Sequence, residues 1–134
     1  MNLSNLSPRL LSILRIVSGL LFLEHGSSSV LGVPPVTIHS SGPPPSPLMA
    51  LLGHSAGYIE LIGGLLLAVG LFTRIAAFIM SGEMAVAYFM VHAPQGFFPL
   101  INKGELAVLY CFVFLYLAAA GGGPWSLDRL RNRA

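Results

Sequence analysis

Residues 59–74 read IELIGGLLLAVGLFTR, and this stretch decides the fold. A single carboxylate, Glu60, stands in an apolar run that closes on Gly-Leu-Phe-Thr-Arg. Followed back to Leu48, the run predicts one helix over 48–72, with a tight turn at Thr73 and Arg74. At about 1.5 Å per residue such a helix exceeds the roughly 30 Å of bilayer hydrocarbon. Three further apolar stretches, 8–31, 75–91 and 104–120, predict three more helices, and residues 121–134 form a tail. Each carries one glutamate in it or at its edge: Glu24, Glu83 and Glu105. Hydrophobic residues make up 54% of the 134-residue chain and charged residues 9%. A soluble domain of that size has too high a surface-to-volume ratio to hide so much apolar surface. The predicted fold is an all-α integral membrane protein, one domain built as a bundle of four transmembrane helices.

Punctuation residues set the limits of these elements. Pro8 suits a first helical turn with Ser7 as the capping residue. Residues 33–47 hold six prolines, which rules out a regular helix there. Pro94, Gly96 and Pro99 mark a second loop, with Phe97 and Phe98 as interfacial anchors; Gly121–Gly123 and Pro124 stop the last helix before Trp125. Gly53 and Gly57 stand in GxxxG spacing, followed by Gly64 and Ala68, a pattern that lets helices approach closely within the bundle or between two copies in a homodimer. Arg9, Arg15, Arg74, Arg129, Arg131 and Arg133 cluster at the two chain ends and the 73–74 turn, whereas the opposite loops carry only Lys103. By the positive-inside rule both termini are cytoplasmic. The arginines of the tail read as a topology signal, not a nucleic-acid surface. The first run is too long for a signal-peptide core and lacks an A-x-A-like cleavage site, so it reads as a retained span.

Depth divides the polar residues into two layers. At the helical rise, Arg15, Glu60 and Glu83 fall about 8, 12 and 14 Å above the cytoplasmic boundary. Glu24, His25 and His54 fall at about 21 Å, and His92 and Glu105 at about 27 Å. Helical phase, about 100° per residue, sets Arg15 and Glu24 on opposite faces and lets Arg15 and His25 share one. The four glutamates therefore do not meet at one point. An ionisable group at membrane depth costs about 2.5–3.5 kcal/mol on insertion scales, so each needs a partner, a cavity or a ligand. The inner layer has two readings. Arg15 pairs with Glu60 or Glu83 as a structural lock, or the two carboxyls hold protons for a coupled reaction, which makes Arg15, Glu60 and Glu83 the catalytic candidates. In the outer layer His25, His54, His92 and Glu105 are the candidates for binding a cofactor, since histidine hydrogen-bonds a quinone carbonyl well. No E-x-x-H or H-x-x-x-H pair occurs, so no metal site is expected. His39 reads as surface decoration. Cys111 is the lone cysteine, which excludes dithiol chemistry within the chain and reads as packing.

The stretches RIVSGLLFLEHG (15–26), IELIGGLLLAVGLFTR (59–74), EMAVAYFMVHAPQGFFP (83–99), NKGELAVLYC (102–111) and GGGPWSLDRL (121–130) together resemble the DoxX family of membrane proteins. The resemblance implies a four-helix protein of the bacterial inner (plasma) membrane. Family members are associated with membrane oxidoreductase systems, including thiosulfate:quinone oxidoreductases and complexes of thiol or oxidative-stress defence. Arg15, His25, Glu60, Glu83, His92 and Glu105 fall on matching positions. One departure is Ser29, where the family pattern commonly has a lysine; Lys103 is the candidate to replace it. The implied function is an accessory or catalytic subunit of a redox-linked membrane system. No tightly bound cofactor is expected, a quinone is the candidate ligand, and a soluble redox protein is the candidate partner. A small proton-coupled transporter and a membrane scaffold for soluble enzymes are the competing readings.

Overall fold

Proline and glycine place the ends of the helices much as their backbone preferences require. The computed structural model describes residues 4, 6–36 and 46–132. Helix α1 spans Ser7–Leu31, with Pro8 in its first turn, and ends where Gly32 takes a left-handed conformation (φ 70°). Its N-cap is Leu6 and no side chain caps it, so Ser7 lies inside the helix and does not serve as the cap. Helix α2 spans Pro47–Val69; the Ser46 hydroxyl accepts a hydrogen bond from the Met49 N–H, and Gly70 (φ 74°) closes the other end. Most of the proline-rich loop, with His39, lies outside the described residues, as does Arg133.

The α2–α3 turn falls at residues 70–72, before the expected Thr73 and Arg74, because Gly70 stops α2 and Thr73 already begins α3. Helix α3 spans Thr73–Ala87 and runs on through a π-helical turn, Tyr88–His92, and a 3-10 turn, Ala93–Gln95. It thus continues past the expected end at Val91. A short helix α4 (Pro99–Asn102), helix α5 (Glu105–Ala120) and a final short helix α6 (Leu127–Arg131) follow. Among the described residues every regular element is helical. Ser7–Leu31, Pro47–Val69 and Thr73–Gln95 are long and apolar enough to cross a membrane; Glu105–Ala120 is apolar but shorter.

Helix α1 packs chiefly on α2 and α3 chiefly on α5, with α2 against α3 joining the pairs. Leu67, Ala77, Met80, Phe114 and Leu117 are fully buried at the centre. Phe22 meets Tyr110 and Phe114 edge-on, with ring centres 4.9 and 4.7 Å away, which ties α1 to α5. Ser12, Arg15, Ser18 and Ser81 are buried, while Leu10, Val17, Leu20, Ile62, Leu65, Ile75, Phe78 and Phe112 are exposed. Polar groups inside and apolar groups outside is the arrangement a lipid solvent selects.

The α1–α2 seam is made by glycine. A Cβ built on Gly19 would lie 2.6 Å from the Ala68 nitrogen, and one on Gly64 would lie 2.5 Å from the Leu23 nitrogen. Gly57 packs on Ser29 and Val30, but Gly53 of the expected GxxxG pair has nothing within 4 Å of a Cβ. Close backbone approach supplies the dispersion contacts that hold helices together in lipid. Gly64→Leu is therefore expected to lower stability by about 1–3 kcal/mol or more through overpacking. Gly53→Ala is the matched control. Thermal unfolding in detergent should show a clear drop in Tm for the first and little change for the second; equal Tm values would refute the seam.

Candidate functional site

Arg15 sits on the buried face of α1 with none of its surface exposed. Its Nε–H donates to the Gly122 carbonyl at 2.8 Å, and Nη1 donates to the Ala68 carbonyl at 2.8 Å and to that of Leu67. Nη2 donates to the Trp125 carbonyl at 2.5 Å. Leu67 and Ala68 belong to the last turn of α2, where the helix runs out of N–H donors; the Leu67 carbonyl also accepts from the Gly70 N–H at 3.1 Å. The guanidinium thus caps α2 and holds the tail against it. The expected pairing of Arg15 with Glu60 or Glu83 is not formed. The carboxylate whose field acts on Arg15 is Asp128.

Asp128 completes this end of the bundle. Its two oxygens accept from the backbone N–H groups of Phe72 and Thr73, both at 2.8 Å, so it caps α3 from a distant part of the chain. Its own N–H donates to the Gly70 carbonyl at 2.9 Å. Arg74 donates to the carbonyls of Ala118 and Ala119 at the end of α5, and the Ser12 hydroxyl accepts from the Trp125 N–H at 3.2 Å. Residues 121–132 therefore form a folded clasp over the α1 start and the α2–α3 turn. The tail reads in sequence as a charge signal alone. The sequence cue to its fold is Ser126 ahead of a short helix, where its hydroxyl accepts from the Arg129 N–H.

The other candidates separate into two places. His25 and Glu24 on α1 and Glu60 on α2 line one cleft of about 460 Å³, together with Ser28 and Ser29. His25 stacks on Phe22 at 6.2 Å and is the histidine whose field acts on Glu60. Glu60 thus joins the outer histidine instead of sharing Arg15. Glu83 on α3 has Glu60 as its charged neighbour, and both its carboxyl oxygens are buried without a hydrogen-bond partner. His54 is exposed and turned to its own helix, with Nδ1 3.1 Å from the Ala50 carbonyl. His92 is half-buried and lies 3.0 Å from the Asn102 carbonyl. Glu105 is exposed in the first turn of α5. Neither His54, His92, Glu105 nor Lys103 lines the His25 cleft.

Asn102 carries a role that sequence reading misses. It is buried; its amide donates to the Gly96 carbonyl at 2.7 Å, and its side-chain oxygen accepts from the Gly104 N–H at 2.8 Å. The loop between α3 and α5 is built around it. Its only sequence cue is the Asn-Lys-Gly turn, in which Lys103 takes a left-handed conformation (φ 59°). Among the described residues no three His, Cys, Asp or Glu side chains gather as a metal site. Cys111 is half-buried, and its carbonyl accepts from the Ser81 hydroxyl at 2.8 Å.

The Asp128 carboxyl lies outside the spans and titrates with the clasp. Burial opposes its ionisation, but the N–H groups of Thr73 and Phe72 and the charge of Arg131 outweigh this and hold it below the usual carboxylate range. Its stabilisation is therefore complete above the ordinary Asp value, about 3.9, and is lost as pH falls through the lowered folded value. Fluorescence of Trp125, the one tryptophan, should stay constant from about pH 8 to 5 and shift only below about 4. Asp128→Asn should show the shifted spectrum throughout. A transition near neutrality in the unmodified protein would contradict the cap.

Among known proteins, the DoxX family model matches residues 10–93 of the chain. An uncharacterized protein of Haemophilus influenzae is 45% identical over 130 residues, covering 95% of this chain and 94% of that protein. A second uncharacterized protein of that organism is 35% identical over 77 residues, 58% of this chain and 51% of its own length. A Bacillus subtilis protein that bears the name "Putative oxidoreductase CatD" is 29% identical over 116 residues, 87% of this chain and 82% of that protein. No solved structure gives a significant match.

Proposed function

The chain belongs to the DoxX family, and from that premise we propose that it is a membrane subunit of a redox-linked system. In this reading the His25 cleft receives a quinone headgroup or a small reductant. The observation that carries it is the meeting of His25, Glu24 and Glu60 in one cleft between α1 and α2. An imidazole can hydrogen-bond a quinone carbonyl, and a carboxyl beside it can take or supply the proton that accompanies reduction. Glu83 stands behind Glu60 as a second proton store. Ser28, whose hydroxyl donates to the Pro34 carbonyl at 2.8 Å, and Ser29 bring no cation, so the cleft suits a neutral ring better than an anionic substrate. The oxidoreductase name of the Bacillus subtilis relative supports the same class. Arg15 leaves the list of catalytic groups and acts as the structural lock of the clasp, while His54, His92 and Glu105 are peripheral.

The chain is placed by this reading in a bacterial inner membrane with four spans. At about 1.5 Å per residue the 16-residue α5 covers about 24 Å, short of the roughly 30 Å hydrocarbon layer. The Asn102 loop at one end and the clasp at the other make up its depth. The shared position of the α1 start, the α2–α3 turn and the clasp, with most of the arginines, supports cytoplasmic termini.

Binding-difference spectra with soluble ubiquinone and menaquinone analogues test the proposal. Saturable binding is expected, weakened about tenfold, or about 1.4 kcal/mol, by His25→Ala or Glu60→Gln. His54→Ala is expected to leave it unchanged. Binding that ignores both His25→Ala and Glu60→Gln would sink the reading.

A further inference from the structure

A second cavity, of about 350 Å³, lies between α2 and α3, away from His25. Leu52, Gly53, Ala56, Ile59 and Met90 form much of its wall, and among the described residues Glu83 is the one ionisable side chain lining it. The Ser55 hydroxyl at its edge is already used, donating to the Leu51 carbonyl at 2.9 Å. Both oxygens of Glu83 are buried and unpartnered, and the next charged group is another carboxyl, Glu60. Arg15 and Arg74 are committed elsewhere, donating to helix-end carbonyls at the clasp, and among the described residues no basic side chain lines the groove.

We propose that this groove binds a lipophilic organic cation, a protonated amine on a compact apolar body, with the ammonium against the Glu83 carboxyl. Charge complementarity selects this occupant. A hydrocarbon chain would cover the apolar wall yet leave the carboxyl unpartnered, whereas an ammonium supplies donors and the opposite charge together. The groove lies within the usual size range of small-molecule sites, about 300–1,000 Å³, and has the usual character of apolar walls with few polar groups. Gly53 leaves the wall open, since a Cβ there meets nothing within 4 Å.

Calorimetric titration of the purified protein in detergent with 1-adamantylammonium tests this, with 1-adamantanol as the neutral isostere. The ammonium is expected to bind saturably and at least tenfold tighter than the alcohol. Glu83→Gln should reduce its affinity at least tenfold. Gly53→Leu keeps the carboxyl but fills the groove and should abolish binding, with an unchanged Tm as the check on folding. His25→Ala should leave binding intact, which separates this site from the quinone cleft. No saturable binding, equal affinity for the two probes, or unchanged affinity in both Glu83→Gln and Gly53→Leu would overturn the proposal.

Discussion

The guanidinium of Arg15 holds this bundle in register. It is a cation removed from water and satisfied by backbone carbonyls alone, those of Leu67 and Ala68 in α2 and of Gly122 and Trp125 in the tail. Hydrogen bonds to a charged group contribute about 1.5–3 kcal/mol each. They also answer two needs at once, because the carbonyls at a helix end have no helical partner. Asp128 mirrors the device at the N-terminus of α3, where two free N–H groups meet a carboxylate. Arg74 repeats it at the end of α5. Three helix ends are thus capped by charges from other parts of the chain, and two of the caps, those of Arg15 and Asp128, involve one short tail. A membrane helix end gains from such caps because its neighbours in lipid offer no hydrogen bonds.

Fixing one end of the bundle leaves the opposite half freer to serve function. The glycine seam brings α1 onto α2 through Gly19 and Gly64 and continues to Gly26, where a Cβ would run into the Leu61 nitrogen, and the His25 cleft opens beside it. On the far side of α2 the groove containing Glu83 opens toward α3. Glu60 and Glu83 sit on adjacent helices and feel each other's charge. The α2 helix therefore separates a polar cleft from an apolar groove, with a carboxyl on either side. This division follows from committing the buried Arg15 to the clasp, which leaves the carboxyls to protons or ligands.

The helices are legible in the sequence because their cause is local. Apolar runs set their lengths, and Pro8, Pro47, Gly32 and Gly70 set their ends, while of the lone glutamates only Glu60 and Glu83 are half-buried and Glu24 and Glu105 are exposed. The extension of α3 to Gln95 is hidden because Pro94 reads as a breaker, yet a 3-10 turn accommodates it. The partner of Arg15 is not legible. A sequence shows which residues carry charge, so a buried arginine invites pairing with a glutamate, while the carbonyls that in fact receive it are present at every position. The fold of the tail is hidden for the same reason, since Asp128 acts on the Phe72 and Thr73 N–H groups, 56 and 55 residues away in the chain. Of the candidate site, the separation of Glu24 from Arg15 follows from phase, whereas the meeting of His25 with Glu60 does not, because depth along the helices sets Glu60 in the inner layer with Arg15. The scatter of His54, His92 and Glu105 does not, because depth alone says nothing about which helices are neighbours.

The most direct test of the clasp is a stability cycle in detergent. Arg15→Lys removes the planar fork while keeping the charge, and it is compared in the unmodified protein and in a Glu60→Gln/Glu83→Gln background. If Arg15 serves the carbonyls of α2 and the tail, the loss of Tm on Arg15→Lys is large and the same in both backgrounds. If the loss largely disappears once the two carboxylates are neutral, Arg15 is the ion-pair partner of the glutamates and the clasp does not hold the bundle in register.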